Sequence, residues 1–320
     1  MLAWYGEKRR DLPWRETTDF YRVWISEIML QQTRVEAVIP YYRRFLERFP
    51  DAHALAAAPE PDVLTAWSGL GYYSRARNLR RAARQIAAEG FPASFDAVLS
   101  LSGVGPYTAA AIASIALNLA HAAVDGNVIR VISRLTNDAS EIMQSATRQR
   151  FAEEAERLLD RARPGDFNQA MMELGATVCL PRVPLCGECP VASLCAARAE
   201  GRERMLPVKL KKNSTRDVPL ELVLLEQDEA VFLVQRDAGD RRLAGFWELP
   251  ERALFGGLRG AVVAEFSHQI VNDRFRIEVR KARTPKQLPE GRWFAAGERL
   301  RVPMTTITRK ALDAVSAAGS

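Results

Sequence analysis

Four cysteines, two carboxylates and a paired-glycine turn are the residues of this chain whose types and spacing could support chemistry. Its only cysteines are Cys179, Cys186, Cys189 and Cys195, spaced C-x6-C-x2-C-x5-C. Thiols gathered in one short stretch of a large chain read as metal or cluster ligands rather than disulfide partners. Four thiolates suit a tetrahedral zinc ion or a [4Fe–4S] cluster. Zinc sites usually use two short Cys-x-x-Cys knuckles, and here only Cys186 and Cys189 are that close. Pro181 and Pro184 stiffen the loop after Cys179, and Arg182 adds positive charge beside it. The spacing therefore favours the iron–sulfur cluster.

The glycines lie in Leu101-Ser102-Gly103-Val104-Gly105-Pro106-Tyr107-Thr108, ahead of an Ala-rich helix predicted from Ala109 to Leu117. Glycines let the backbone turn tightly and expose N–H groups, and with a following helix N-terminus those groups can hold a phosphate. By themselves Gly103 and Gly105 are equally an ordinary turn between helices. Asp125, in Val124-Asp125-Gly126-Asn127-Val128, reads in isolation as a helix cap or turn residue. Glu27 sits among Trp24, Ile25, Ile28, Met29 and Leu30. Periodicity alone would turn it to solvent on an amphipathic helix, whereas its apolar neighbours would partly desolvate it.

These residues need elements to position them. Residues 1 to about 200 read as all helical. Apolar spacing predicts helices over 21–30, 35–46, 75–88 and 148–161, with Pro40 kinking the second or marking its start. Residues 201–217 are basic and lack an apolar period, so they read as a linker that could touch phosphate. After Val218 the period changes. Residues 219–226 and 230–236 flank Gln227-Asp228-Glu229 as a predicted hairpin. Phe275, Ile277 and Val279 alternate with charges as a half-buried strand, and Thr308–Ala318 predicts a closing helix. The expected fold class is therefore multidomain: an all-α domain followed by a smaller α+β domain.

The net charge of +6 fits a polyanionic partner such as nucleic acid, or a merely basic protein. The longest apolar run, 109–124, is interrupted by Ser114, Asn118 and His121. No membrane span or signal peptide is expected, and the expected location is the cytoplasm, in association with the nucleoid.

The hairpin sequence and the cysteine spacing together resemble the helix-hairpin-helix glycosylases, in the branch that holds endonuclease III and the adenine DNA glycosylases. Ser26-Glu27-Ile28-Met29-Leu30-Gln31-Gln32-Thr33 resembles the signature of the adenine branch. Endonuclease III is similar at the Leu-Gln-Thr core but lacks the glutamate. Asp125-Gly126-Asn127 is likewise the adenine-branch form, where endonuclease III has Asp-Thr-His.

The resemblance implies two carboxylates with different duties, as in glycoside hydrolysis. Glu27 would be the acid that protonates adenine at N7. Asp125 would stabilise the oxocarbenium ion or form a transient adduct, with Asn127 and Tyr107 supporting it. Bifunctional relatives place a Schiff-base lysine where Tyr107 stands, and a phenol cannot form an imine. The resemblance thus implies a monofunctional adenine DNA glycosylase acting on duplex DNA with adenine opposite 8-oxoguanine or G, flipping the base out. The alternatives are an endonuclease III-like glycosylase/lyase for oxidised pyrimidines and a non-enzymatic iron–sulfur DNA-binding protein.

Further carry-overs follow by resemblance. Trp14, Arg15, Leu30, Val35, Gln169 and Met172 would line the adenine pocket. Gln32 and Thr33 would contact the orphaned guanine side. Leu70 and Tyr72, in Gly69-Leu70-Gly71-Tyr72-Tyr73-Ser74-Arg75, would form the loop whose tyrosine wedges beside 8-oxoguanine. Gly103 and Gly105 would bind DNA phosphate. Cys179, Cys186, Cys189 and Cys195 would hold a [4Fe–4S] cluster with a structural or DNA-sensing role. Ala244–Pro250 and Glu265–His268 resemble the Nudix-like C-terminal domain of the family, with Phe266, Ser267 and His268 reading 8-oxoguanine. Here the chain departs from the Nudix pattern, because Glu251 is the only acidic residue between Pro250 and Glu265. Nucleotide hydrolysis is therefore not expected. The implied domains are 1–200, with its cluster loop at 179–195, the linker 201–217, and a shortened Nudix-like domain at 218–320. A monomer is the default expectation.

Overall fold

A computed structural model describes residues 1–210, 215–237, 239–240, 243–299 and 301–318. The chain divides into two compact units: residues 1–57 with 77–211, and residues 58–76 with 212–320.

The helices run in chain order as α1 (Leu2–Lys8), α2 (Phe20–Leu30), α3 (Val35–Arg48), α4 (Ala52–Ala57), α5 (Glu60–Ala66), α6 (Ser74–Glu89), α7 (Phe95–Leu99), α8 (Pro106–Leu117), α9 (Gly126–Leu135), α10 (Ser145–Leu158), α11 (Pro164–Thr177) and α12 (Ala196–Ala199). No strand lies among the described residues before Arg216. Pro40 sits inside α3, which continues through it.

The centre of the first unit is α2. Asp19 caps it by accepting a hydrogen bond from the Arg22 N–H. Every residue of α2 except Arg22 and Leu30 is buried. Periodicity alone would give Glu27 a solvent face, but this helix is enclosed by α3 and α8, and Glu27 is buried among its apolar neighbours.

Helix α11 packs against α8 and α9 at two glycines. A Cβ on Gly165 would lie 2.7 Å from the Ser114 carbonyl oxygen, and one on Gly175 would lie 2.6 Å from Asn127 Cβ. Only glycine permits so close an approach at these points.

The second unit carries β1 (Arg216–Leu224), β2 (Glu226–Gln227), β3 (Ala230–Gln235), β4 (Trp247–Glu248), β5 (Ala261–Ile270), β6 (Asp273–Lys281) and β7 (Arg292–Phe294), then α13 (Ala296–Arg299) and α14 (Thr306–Ala318). One sheet has the order β1-β6-β5, with β1 parallel and β5 antiparallel to β6. The other joins β2, β3 and β4, with β7 also on β3. Leu222, Leu224, Leu233, Ile277, Val279 and Phe294 form the core between them.

The predicted hairpin is present but short. Asp228 and Glu229 both have positive φ, 48° and 63°, as a tight two-residue turn requires, and they join β2 to β3. The long run 216–224 does not pair with β3. It pairs in parallel with β6 in the other sheet, a long-range choice that local spacing cannot indicate.

Residues 58–76, read from the sequence as part of the helical domain, group instead with the C-terminal residues. Within that unit the Tyr73 ring lies against Phe246, with centroids 4.2 Å apart. The basic linker also differs. Leu206 is buried and its carbonyl accepts from Arg134 Nε, and the Val208 carbonyl accepts from the Ile142 N–H. Residues 202–208 are thus strapped to the first unit, Arg216 and Asp217 belong to β1, and residues 211–214 lie outside the described residues. Among the described residues no helix is long and apolar enough to cross a membrane.

The glycine contacts define a test of this architecture. Gly175→Ala forces a methyl group into Asn127 and is expected to destabilise the protein by about 1–3 kcal/mol. The readout is a lowered thermal midpoint, accompanied by weakened function because Asn127 must move.

Candidate active site

The N-terminus of α9 fixes Asp125. Its Oδ1 accepts from the Asn127 and Val128 N–H groups at 2.9 and 2.8 Å, and its Oδ2 accepts from Asn127 Nδ2 at 2.8 Å. The cap reading and the functional reading of Asp125 are therefore compatible, since capping holds the carboxylate in one orientation at the positive end of a helix. Burial nevertheless pushes its carboxyl above the ordinary range, against those hydrogen bonds.

Glu27 projects from α2 and is only 6% exposed. The Tyr107 hydroxyl, at the start of α8, donates to Glu27 Oε2 at 3.2 Å and lies 3.2 Å from Met172 Sδ on α11. Burial pushes the Glu27 carboxyl up to about 7; the nearby Asp125 charge adds to this, while Tyr107 and Arg15 act in the opposite direction. Burial also raises the Tyr107 phenol well above its usual value, so it stays neutral.

Both carboxylates line one cavity of about 210 Å³. Trp14, Arg15, Leu30, Thr33, Val35, Tyr107, Asn127, Gln169 and Met172 line it too, which brings together most of the residues singled out from the sequence. Gln32 is exposed and does not line the cavity; it takes a left-handed conformation with φ 56° at the end of α2. Gly103 also has positive φ, 81°, and a Cβ there would meet Asn78 Cβ at 2.5 Å, so the hairpin turn requires glycine. Gly105 is the N-cap of α8.

Sequence reasoning missed several partners. Glu173, fully buried on α11, accepts from the Arg10 N–H, Nε and Nη2 at 2.9, 2.9 and 2.8 Å and from Arg15 Nη2 at 2.6 Å. Burial opposes its ionisation, but these bonds override that and hold its carboxyl down at about 2. Arg130 donates to Asn127 Oδ1 and to the Gly175 carbonyl through Nη2, and to the Cys179 carbonyl through Nε. A bonded chain thus runs from Asp125 through Asn127 and Arg130 to the cysteine loop. The available signal was spacing: Arg130 and Arg134 lie on successive turns of α9 and point the same way.

The four cysteines are half-buried and line one small pocket with Arg134, Arg198 and Glu203. Arg134 Nη1 donates to Cys179 Sγ at 3.2 Å and to the Leu180 carbonyl at 2.8 Å. Among the described residues, no three His, Cys, Asp or Glu side chains are grouped so as to hold a metal ion.

In the second unit Tyr72 is 48% exposed with φ 47°. The Arg75 guanidinium packs over both Tyr72 and Trp67 and donates to the Leu70 and Gly71 carbonyls. Phe266, Ser267 and His268 all lie inside β5. Strand alternation divides them: Phe266 packs on the core, His268 lies 3.3 Å from Lys310 Nζ on α14, and Ser267 is exposed on the opposite face. The three do not form one shared surface, because a strand sends neighbouring side chains to opposite sides. Between Pro250 and the start of β5 the chain forms a one-turn helix, Arg252–Phe255.

A cavity among helices, lined by a raised carboxyl and a capped carboxylate and by the tyrosine that follows a glycine turn, is the type of site a DNA glycosylase requires. A family described as HhH-GPD superfamily base excision DNA repair protein matches residues 25–157. The chain is similar to the adenine DNA glycosylase of Rattus norvegicus, 47% identical over 222 residues, covering 65% of this chain and 43% of that protein. It is also similar to the adenine DNA glycosylase of Buchnera aphidicola subsp. Baizongia pistaciae (strain Bp), 35% identical and covering 74% of this chain and 68% of the relative. The solved structure of a thermostable thymine-DNA glycosylase matches with a TM-score of 0.55 and 30% identity, covering 62% of this chain and 93% of that one. The chain belongs to the helix-hairpin-helix base excision repair superfamily and, within it, to the adenine DNA glycosylases. It spans under half the length of the rat relative.

The buried carboxyl has a cost that can be measured. Glu27 titrates near 4.5 in the unfolded chain and near 7 in the folded one, so the folded state binds the extra proton. Stability present below about pH 4.5 is therefore lost as pH rises through 7. Glu27→Gln is expected to raise the melting temperature at about pH 8, by a gain on the order of a few kcal/mol. That gain should shrink towards nothing at about pH 5, as melting curves at the two pH values would show.

Proposed function

We propose that this protein hydrolyses the N-glycosidic bond of an adenine flipped out of duplex DNA where it faces 8-oxoguanine or G. The observation that carries the reading is the convergence of Glu27 and Asp125 on one cavity, Glu27 raised to about 7 by burial and Asp125 held in a helix cap by three hydrogen bonds that work against its own burial. Glu27 can hold a proton near neutral pH and deliver it to the departing purine. Asp125, oriented by its helix cap, faces the positive charge that develops on the sugar. Tyr107 and Asn127 position the two carboxylates. Trp14, Arg15, Leu30, Val35, Gln169 and Met172 enclose the base, while Gln32 and Thr33 face the orphaned partner. Gly103 and Gly105 supply N–H groups to a backbone phosphate.

Tyr107 leaves no amine beside the sugar, which supports a monofunctional glycosylase over an endonuclease III-like lyase. The relatives named for adenine support the same choice of base. Tyr72 with Leu70, and the exposed Ser267 of β5 with its neighbours Phe266 and His268, are the residues we assign to 8-oxoguanine, in a C-terminal unit read as Nudix-like. We place the protein in the cytoplasm at the nucleoid, acting as a monomer.

The cysteine pocket fits a [4Fe–4S] cluster by its donor set: four thiols around one void, with cationic Arg134 and Arg198 to offset the charge of four thiolates. Cys179, Cys186, Cys189 and Cys195 would hold it. The cluster would brace the loop that Arg130 and Arg134 tie to α9. Purified protein is expected to carry iron and acid-labile sulfide in equal amounts, and Cys189→Ser to lower both along with the thermal midpoint.

The decisive assay offers duplexes carrying adenine opposite 8-oxoguanine and duplexes carrying thymine glycol. Free adenine is expected from the first, with strand scission only after alkali and no borohydride-trapped adduct. Asp125→Asn should reduce release by on the order of a thousandfold or more. Rates should be bell-shaped in pH, falling above about 7 as Glu27 loses its proton and at low pH as Asp125 gains one. Trapping on thymine glycol without adenine release would overturn the reading.

A further inference from the structure

The reaction proposed above uses Glu27 and Asp125, but the same cavity is also lined by Arg10, Arg15 and Glu173. Resting on that reading, we propose that Glu173 is a positioning residue: its carboxylate binds Arg10 and Arg15 into a closed ion cluster, so withholding Arg15 from Glu27 and leaving Glu27 free to keep its proton.

The geometry is specific. Both Glu173 oxygens are engaged, Oε1 by the Arg10 N–H and Nε, and Oε2 by Arg10 Nη2 and Arg15 Nη2. Arg15 is held from a second side as well, donating Nη1 to the Arg10 carbonyl at 3.1 Å, with its guanidinium 5.5 Å from the Tyr5 ring. Its side chain is 9% exposed and that of Glu173 is 0% exposed, so water screens little of their charge.

The charged and titratable groups facing Glu27 are few. They are Tyr107 from α8, Asp125 from the start of α9, and Arg15 from the Pro13–Arg15 turn, with Glu173 and Arg10 behind Arg15. Asp125 is already occupied by the α9 N-terminus and Asn127. Burial has the largest effect on Glu27, and among these groups Arg15 is the cation that acts on it, favouring the Glu27 anion even while bound to Glu173. Removing the Glu173 charge takes their shared carboxylate from the buried Arg15 guanidinium and from Arg10, whose side chain is 35% exposed. Glu27, which lines the same cavity and already feels the Arg15 charge, is then a carboxyl with which Arg15 can pair. An ion pair there would turn the acid into a permanent carboxylate.

Burying the Glu173–Arg15 pair in a cavity wall is an expensive way to stabilise a fold, since apolar packing of equal volume does as well. An electrostatic duty accounts for the arrangement, and it separates from a structural one by experiment. Glu27 is titrated directly by carbon-13 NMR of side-chain-labelled glutamate, its signal identified by loss in Glu27→Gln. In Glu173→Gln the Glu27 midpoint is expected to fall by about one pH unit or more. The alkaline limb of adenine release should move down with it. Release at about pH 7.5 would then drop roughly tenfold while release at about pH 5.5 stays close to wild type.

Two further variants keep the test open if Glu173→Gln folds poorly. Glu173→Asp retains the charge and should hold the midpoint near the wild-type value. The double variant Glu173→Gln/Arg15→Gln removes both partners and should bring the midpoint back to the wild-type value or above it. Loss of rate at every pH with an unmoved Glu27 midpoint would overturn the proposal and leave Glu173 as packing. Failure of the wild type to release adenine would instead overturn the glycosylase reading, while the NMR titration would still decide what Glu173 does to Glu27.

Discussion

The structure depends on one electrostatic constraint: a carboxyl group must be kept out of water without being given a counter-ion. Glu27 satisfies it by projecting from a helix that is buried on nearly every side, towards a phenol rather than a cation. The cost of desolvating an unpaired carboxylate is what lifts its proton affinity into the neutral range. Everything packed around it either maintains that desolvation or keeps positive charge away. Arg15, which lines the same cavity and favours the Glu27 anion, is bound by Glu173, and Arg130 is turned towards Asn127, Gly175 and Cys179.

The second carboxylate is treated in the opposite way. Asp125 receives three hydrogen bonds, two from backbone N–H groups at a helix start and one from Asn127. Two acids that share a cavity are thereby set apart, one by what it lacks and the other by what it receives. The separation relies on α11, whose glycines at 165 and 175 bring it against α8 and α9 so closely that Met172 and Glu173 reach the cavity wall. Packing density and electrostatic control come from the same contacts, and the cysteine loop joins them through Arg130 and Arg134.

The C-terminal unit follows different rules. Its two small sheets share a core of alternating apolar residues, and β5 lies against α14. Because β5 is a regular strand across Phe266, Ser267 and His268, only Ser267 of the three is presented outward. The segment 67–75 is organised within this unit by Arg75, which stacks on Trp67 and Tyr72 and ties down two carbonyls at a turn with glycines of positive φ.

Much of this was legible in the amino-acid order alone. Helix positions followed from apolar spacing, a turn from its paired glycines and the cysteine set from close spacing, while the roles of Glu27 and Asp125 were implied by the family resemblance of the short motifs that carry them. These are local properties, set by backbone sterics and by what a few neighbouring side chains can do. What required tertiary structure was every relation between distant residues: that α2 is enclosed rather than amphipathic, that residues 216–224 pair with β6 and not with their sequence neighbour β3, that residues 58–76 join the C-terminal unit, and that Glu173 answers Arg10 and Arg15 across more than 150 positions. A charge acquires its protonation behaviour from the groups that surround it in space. The sequence determined which acids were present, and only the fold decided which one would hold a proton.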